Sequence, residues 1–357
     1  MTNCTDSSSR IQAAIARPCY AVNWSVRKRQ IAQDFLQHHT VLQAHDLGHV
    51  PPGATALVWG CNELNAPAAQ DVQVLHLEDG FLRSVGLGAD LVEPISWVCD
   101  LQGIYFDATQ PSDLESMLQN AEFTEPMLSR AALLQKSIVS TGLSKYNVGG
   151  KLWIRPRTTK KIVLVVGQVE SDASIQLGAH HIKTNLALIQ AVRTLEPDAF
   201  IVYKPHPDVL AGLRSGKLMA EHGLYDALVE QASMPQLLTQ IDAVHVNTSL
   251  TGFEALLRGV PVITHGMPFY AGWGLTLDMA QNHAALKRRT KRLRPEELIA
   301  AALICYPLYR HPDTHQIITP EEAVKLLAKQ MQAAIDLQPS VLWRLVLSWA
   351  ARFQGRF

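Results

Sequence analysis

Short apolar runs alternate with amphipathic stretches along the chain. In the first half, YAVNW (20–24), ATALVWG (54–60) and VQVLHL (72–77) read as strands. SVRKRQIAQDFL, behind the first of them, reads as a helix with Ser25 as its N-cap. Residues 112–142 read mainly as helix. GLSKYNVGGKLWIRPRTTK (142–160) then breaks the periodicity with glycines, a proline and basic residues, which predicts a domain boundary near residue 150.

A second set opens with KKIVLVVG (160–167), an apolar run of the kind that sits inside a parallel sheet. Helix TNLALIQAVRTLEP follows, with Leu188, Val192 and Leu195 at i, i+4 and i+7. Strands AFIVY (199–203), DAVHVN (242–247) and PVITHG (261–266) come next, with helix TGFEALLRG between the last two and Gly259 as its C-cap. Strands alternating with helices of this length predict βαβ units and an α/β fold with two Rossmann-like domains around a cleft.

In open α/β sheets a ligand sits beyond the carboxyl ends of the strands. Four strand ends in the second half carry the interest. Gln168, Glu170, Ser171, Asp172 and Ser174 follow the first, and Lys204 and His206 follow AFIVY within VYKPHPDVL. Asn247, Thr248 and Ser249 follow DAVHVN, and Glu254 lies on the helix after them; MPFYAGWGL follows PVITHG. Pro205 and Pro207 stiffen the chain on either side of His206. Thr248 and Ser249 stand where a helix begins, which suits either an ordinary cap or a phosphate site. In the first half, LHLEDGFLRSVGLGADL (75–91) brings Glu78 and Asp79 to a strand end, with Arg83 beyond. Paired carboxylates suit general acid/base work, and Asp-Gly is equally a common turn dipeptide.

Composition narrows the classes. With 357 residues, 47% hydrophobic and 18% charged, the chain can bury a large core. Its formal net charge of zero argues against a nucleic-acid binder relying on bulk positive charge. The five cysteines are scattered and never spaced C-x-x-C, so reduced thiols without a disulfide framework or zinc site are expected. The polar start MTNCTDSSSR shows no signal peptide, and no run reaches the roughly 20 apolar residues of a membrane span. A cytoplasmic protein, soluble or peripheral to a membrane, is the expectation. No Walker-type loop or dinucleotide fingerprint is present, which argues against ATP in a P-loop and against NAD.

Taken together, EDGFLRSVGLGADL, GIYFDAT, GQVESDASI, VYKPHPDVL, TSLTGFEALLRG and PFYAGWGL resemble the KpsC/LipB family of capsule polysaccharide proteins, retaining β-Kdo glycosyltransferases of Gram-negative bacteria that use CMP-β-Kdo. The resemblance covers most of residues 20–310. It implies a GT-B fold: an acceptor-side domain over 1–150, a CMP-sugar donor domain over 151–318, and C-terminal helices over 319–357 crossing back onto the first domain or resting on a membrane. It implies Asp172 as nucleophile and Glu78 or Asp79 as base. His206 would bind the CMP phosphate with Thr248 and Ser249 assisting, and Glu254 would lie near the ribose or base. The strand-end residues Gln168, Lys204 and Asn247 join this donor site, and charge suggests Arg83 or Lys204 for the Kdo carboxylate. No cofactor or metal is expected, since cationic side chains and helix ends can hold one phosphate. The implied partners are CMP-Kdo, a Kdo-terminated glycolipid acceptor and capsule assembly proteins. The usual KpsC protein carries two such modules in tandem. One set of motifs is present here, which leaves the linkage open, as well as whether this is a single-module enzyme or half of a larger one.

TPEEAVKLLAKQMQAAI (319–335) opens with Thr319, Pro320 and Glu322 in capping-box order and places Val324, Leu327, Met331 and Ile335 on one face. SVLWRLVLSWAARFQGRF mixes Trp343, Trp349 and Phe353 with Arg344, Arg352 and Arg356, which suits an interfacial helix or a packed terminal one. Three other classes share parts of the pattern. They are an inverting sialyltransferase-like enzyme, a UDP-sugar 2-epimerase and a non-catalytic capsule- or CMP-binding module.

Overall fold

The computed structural model describes residues 11–336, apart from 13–14, 16, 38, 62–70, 87–91, 149, 211, 213, 215, 217 and 219–222. The tail assigned above to a membrane or packed helix (337–357) lies outside the described residues, as does the side chain of Ile335. In chain order the strands are β1 (Cys19–Val22), β2 (Val41–Ala44), β3 (Thr55–Trp59), β4 (Gln73–Asp79), β5 (Ser96–Asp100) and β6 (Ile162–Val166). They continue with β7 (Phe200–Lys204), β8 (Ala227–Leu228), β9 (Ala243–Val246), β10 (Val262–Thr264), β11 (Leu277–Asp278), β12 (Pro307–Arg310) and β13 (Ile317–Ile318). They build two sheets, of order β13-β12-β5-β4-β3-β1-β2 and β11-β10-β9-β6-β7-β8.

The chain divides into two compact units that do not follow a single cut near residue 150. The unit around the first sheet takes the described residues from Ile11 to Leu101, from Leu133 to Val148 and from Ala302 to Asp336. The unit around the second sheet takes Gln102–Ala132 and Gly150–Ala301. The stretch read as one helix over 112–142 is two helices, Asp113–Asn120 and Glu125–Thr141.

In the first sheet β1 to β4 pair in parallel, whereas β5, β12 and β13 join antiparallel. SWVCD (β5) and PLYR (β12) escaped the pattern reading for a physical reason. Every residue of both strands is buried, so neither shows the in-out alternation that marks a half-exposed strand. The helix Val26–Phe35 starts at Ser25, whose hydroxyl accepts the Lys28 N–H at 3.3 Å, as expected of an N-cap worth about 1 kcal/mol. It buries Ile31, Ala32 and Phe35, and the Phe35 ring stacks on Trp97 of β5 at 4.7 Å. Trp24 and Trp59 meet edge-on at 6.0 Å, and both touch Trp97. Beside this core, the fully buried Arg310 of β12 pairs with Asp34 and Glu93, each at 2.5 Å. The helix Pro320–Asp336 packs on β12, buries Val324 and Leu327, and opens with the capping box in place: Thr319 N–H reaches Glu322 at 2.8 Å and Glu322 N–H reaches Thr319 Oγ1 at 3.3 Å.

All six strands of the second sheet run parallel. β6, entirely buried, lies between β7 and β9. The helix Asn185–Leu195 lays Leu188, Ile189 and Val192 on Val163, Val165 and Ile201. Leu195, expected on that same face, is the last helical residue and is exposed. Gly259 ends the helix Thr251–Leu257 with φ +69°, the left-handed conformation that favours glycine after a helix. Cys19, Cys61 and Cys99 are free thiols. Among the described residues no helix is long and apolar enough to cross a membrane.

Candidate active site

The second sheet reverses its winding between β6 and β9. From β6 the chain moves out to β7 and β8, then returns to the other side for β9, β10 and β11. A crevice beyond the carboxyl ends of β6 and β9 is the place where such sheets bind ligands. Gln168, after β6, clamps the two ends together: its Nε2 donates to Thr248 Oγ1 at 3.0 Å, and its Oε1 accepts the Thr248 N–H at 2.9 Å. Asn185 locks the Gln168 backbone from both sides, accepting its N–H at 2.9 Å and donating to its carbonyl at 2.8 Å. Gln168 therefore acts through Thr248. Asn185 was missed because its only signal was a place just after the N-cap Thr184.

Asn247 is buried and donates to the Ile182 carbonyl, while its Oδ1 has no partner among the described residues. Ser249 lies two residues before the helix Thr251–Leu257, whose cap position is Leu250; its hydroxyl accepts the Thr251 N–H at 3.2 Å. Glu254 sits buried in the first turn of that helix. Phe269, Tyr270 and Trp273 of the PFYAGWGL stretch are core residues rather than ligand contacts: Tyr270 donates to the Ser249 carbonyl and Trp273 to that of Phe269.

Two further groups belong to this unit. Lys204 is the last residue of β7 and its ammonium reaches the Glu230 carbonyl at 3.3 Å; burial pulls its pKa down. His206 follows Pro205, and its Nδ1 accepts the Asp208 N–H at 3.2 Å, which leaves Nε2 to carry the proton. Burial lowers the His206 pKa first and Arg214 pushes the same way, against Asp208 and Asp172. The imidazole is thus a neutral donor at pH 7, whereas the sequence suggested a second cation. Asp172 occupies the cap position of the short helix Ala173–Gly178 but makes no capping bond. Its carboxylate, about two-fifths exposed, instead meets Arg214 at 3.1 Å.

The carboxylate pair of the first unit stands at the end of β4. A Cβ on Gly80 would lie 2.2 Å from Ser96 Oγ, so glycine follows Glu78 and Asp79 because β5 packs against the backbone there. The two acids have different surroundings. Asp79 binds Arg83 Nε at 2.5 Å, and Arg83 also donates to Ser84 Oγ at 2.9 Å and the Val92 carbonyl at 3.0 Å. Arg83 is nearly buried in these contacts, which leaves little of it for a substrate carboxylate. Glu78 accepts the Asp79 N–H at 3.0 Å. Burial, then the Asp79 charge, pushes its pKa up to about 7, against Lys145 and Lys28. Lys28, absent from the sequence reading, is lowered to about 8 by burial and lies 3.3 Å from the centre of the Trp59 ring. Nothing in its local sequence announced it, because Trp59 and Glu78 arrive from distant strands.

One group of possible metal ligands occurs among the described residues, His45, Asp46 and His49. Asp46 caps the short helix Leu47–His49 and binds His49 at 2.7 Å, which accounts for the grouping without an ion.

Two Rossmann-type sheets, each with polar groups beyond its strand ends, define the GT-B class of glycosyltransferases. A module of Thermosulfurimonas dismutans KpsC described as a beta Kdo 2,7 transferase matches 88% of this chain and 99% of its own, at 39% identity and TM-score 0.75. A second, described as a beta Kdo 2,4 transferase, matches at 33% identity and TM-score 0.76, over 87% of this chain and 98% of its own. The chain belongs to the capsule polysaccharide biosynthesis protein family, which matches residues 62–148 and 151–309. It is 43% identical over 323 residues to the capsule polysaccharide modification protein LipA of Neisseria meningitidis serogroup B, covering 87% of this chain and 45% of that one. The lipopolysaccharide-processing protein LpsZ of Rhizobium meliloti is 41% identical over 261 residues, 70% of this chain and 58% of that one. The chain thus spans about half the length of the curated LipA relative it matches.

Proposed function

We propose that this chain is a retaining β-Kdo glycosyltransferase that moves Kdo from CMP-β-Kdo onto a Kdo-terminated, lipid-linked acceptor in capsule synthesis. The observation that carries this reading is the likeness, along nearly their whole length, to two β-Kdo transferase modules. In this reading the unit around the first sheet forms the acceptor side and the unit around the second sheet the donor side. The Asp172 carboxylate attacks the anomeric carbon, the bond from that carbon to the phosphate oxygen breaks, and CMP departs with the electron pair. The acceptor hydroxyl then attacks the same carbon, the bond to Asp172 breaks, and the hydroxyl proton passes to Glu78. Two inversions give retention.

Each role draws on an observed feature. Asp172 is accessible and oriented by Arg214. Glu78, with a pKa near neutrality, is matched to general-base work, whereas Asp79 is held by Arg83. His206 Nε2 and Lys204 supply donors for the CMP phosphate, Thr248 and Ser249 supply theirs before a helix, and the unpartnered Asn247 Oδ1 accepts from the donor. Glu254 stays with the ribose or base.

The test is intact-protein mass spectrometry after mixing with CMP-Kdo generated in situ, without acceptor, beside Asp172→Ala. A gain of one Kdo mass on the wild type alone is expected. Transfer to an acceptor with inverted stereochemistry and no adduct would favour the sialyltransferase-like route instead.

A further inference from the structure

The first sheet has its own point of reversal. β1 and β3 are neighbours, but the chain leaves β1 for β2 on one side and β3 for β4 on the other. Such a reversal opens a crevice beyond the carboxyl ends of the two strands. Trp59 is the last residue of β3, and Trp24 and Lys28 follow β1. The chain therefore places an ammonium and two indoles where this kind of sheet receives a ligand.

Lys28 is unusual in what it touches. Its Nζ lies 3.3 Å from the centre of the Trp59 ring and 5.4 Å from that of Trp24, an arrangement that favours the charged form. Among the described residues its ammonium has no hydrogen-bond acceptor and no ion pair, although it can donate three hydrogen bonds. It is half-buried, so water compensates only in part. The charges felt at Lys28 are Glu78, Asp79 and Arg83; Asp79 and Arg83 cancel each other at 2.5 Å, and Glu78 also feels Lys145. An ammonium without an acceptor at such a crevice is suited to an anionic ligand.

We propose that Lys28, seated on the indole of Trp59, binds the carboxylate of the sugar acid at the end of the acceptor. This rests on the reading above for the acceptor's chemistry, and adds the residue that recognises it. The carboxylate accepts from the Lys28 ammonium and aligns the sugar so that a hydroxyl lies toward Glu78. The depressed pKa of Lys28, about 8, gives a second consequence: acceptor affinity falls as pH rises through 8 and the ammonium is lost.

The experiment titrates the protein with the methyl glycoside of β-Kdo and with its carboxyl-reduced analogue, following tryptophan fluorescence and saturation-transfer NMR. It compares the wild type, Lys28→Met and Lys28→Arg. Met keeps the apolar stem on Trp59, so the fold is retained. Lys28→Met weakens sugar-acid binding about 10- to 100-fold, the range of a hydrogen bond to a charged group, and Lys28→Arg recovers part of it. The reduced analogue binds all three proteins equally weakly. With a full acceptor, Lys28→Met raises KM more than it lowers kcat. Equal binding of the sugar acid by wild type and Lys28→Met, or equal binding of acid and reduced analogue by the wild type, overturns the proposal. A wild type that forms the Kdo adduct yet binds no sugar acid removes this subsite alone. One that binds the glycoside through Lys28 yet never consumes CMP-Kdo removes the transferase reading and leaves the subsite standing.

Discussion

The strand ends of the second sheet and those of the first are built in different ways. In the second, backbone and neutral side chains form a scaffold: Gln168, Asn185 and Thr248 hold one another, and Asp172 and His206 stand partly open with light partners. In the first, charged groups are crowded against tryptophans, and their proton affinities are displaced toward neutrality. The difference teaches which half depends on geometry and which on charge. A phosphate and an electrophilic carbon need placed donors and a placed carboxylate. A hydroxyl that must lose its proton needs a base of adjusted strength.

Substitutions sharpen or break this contrast. The largest effect is expected at Asp172. Asp172→Asn keeps the shape and removes the nucleophile, so transfer falls by at least about 10³-fold with no adduct by mass. If that variant keeps most of its activity, the second unit carries no covalent chemistry. Glu78→Gln is expected to slow transfer about 10²-fold. The wild-type rate rises with pH through about 7 as Glu78 loses its proton, and the variant lacks that limb. A pH–rate profile unchanged in Glu78→Gln would move the base elsewhere. His206→Ala removes one hydrogen bond to an anion, and the KM for CMP-Kdo rises about 10-fold or more with little change in acceptor KM. The smallest effect belongs to Arg83→Lys. It loosens the grip on Asp79, lowers stability by about 1–2 kcal/mol in denaturant melts, and leaves acceptor KM within about twofold. A large rise in acceptor KM there would return Arg83 to the substrate.

The buried pair His245 and His265 adds a contrast in stability. Their rings touch at 3.1 Å, and burial lowers their pKa values to about 3 and about 4, with His265 and Lys161 adding to the effect at His245. Both folded values lie below the unfolded value near 6.5, so the unfolded chain binds more protons in between. Their contribution is whole above about 6.5 and is lost as pH falls toward 4 and 3. Urea melts should show the second unit losing on the order of 5 kcal/mol between pH 6.5 and 4, and His245→Gln should flatten that slope.

Much of the second unit was legible because its strands are apolar runs separated by helices, which is how a parallel sheet is written. The strand-end rule then singled out Gln168, Asn247, Thr248, Lys204 and His206, which the fold places at or just beyond the ends of those strands. The first unit was harder. β5 and β12 are buried on both faces and carry no alternation, and β12 enters the sheet some two hundred residues after β5. The state of Glu78 depends on Lys28, Asp79 and Lys145, which only the folded chain assembles. EDGFLR displayed an arginine near two acids, but not that it folds back onto the second of them. The protonation of His206 was likewise hidden, because it follows from the N–H of Asp208 and from burial.

The late arrival of β12 has a consequence for synthesis. On a ribosome, every described residue of the second unit has been made by Ala301, so its sheet can close while the chain is still growing. The first sheet cannot. Until Pro307–Arg310 emerges, β5 presents an open edge, Tyr306 has not reached Asp100, and Asp34 and Glu93 wait without Arg310. The half of the molecule whose first residues are translated earliest is therefore the last to be finished. A nascent chain stalled shortly before residue 307 would expose an unpaired strand edge, the feature most prone to pair with another chain.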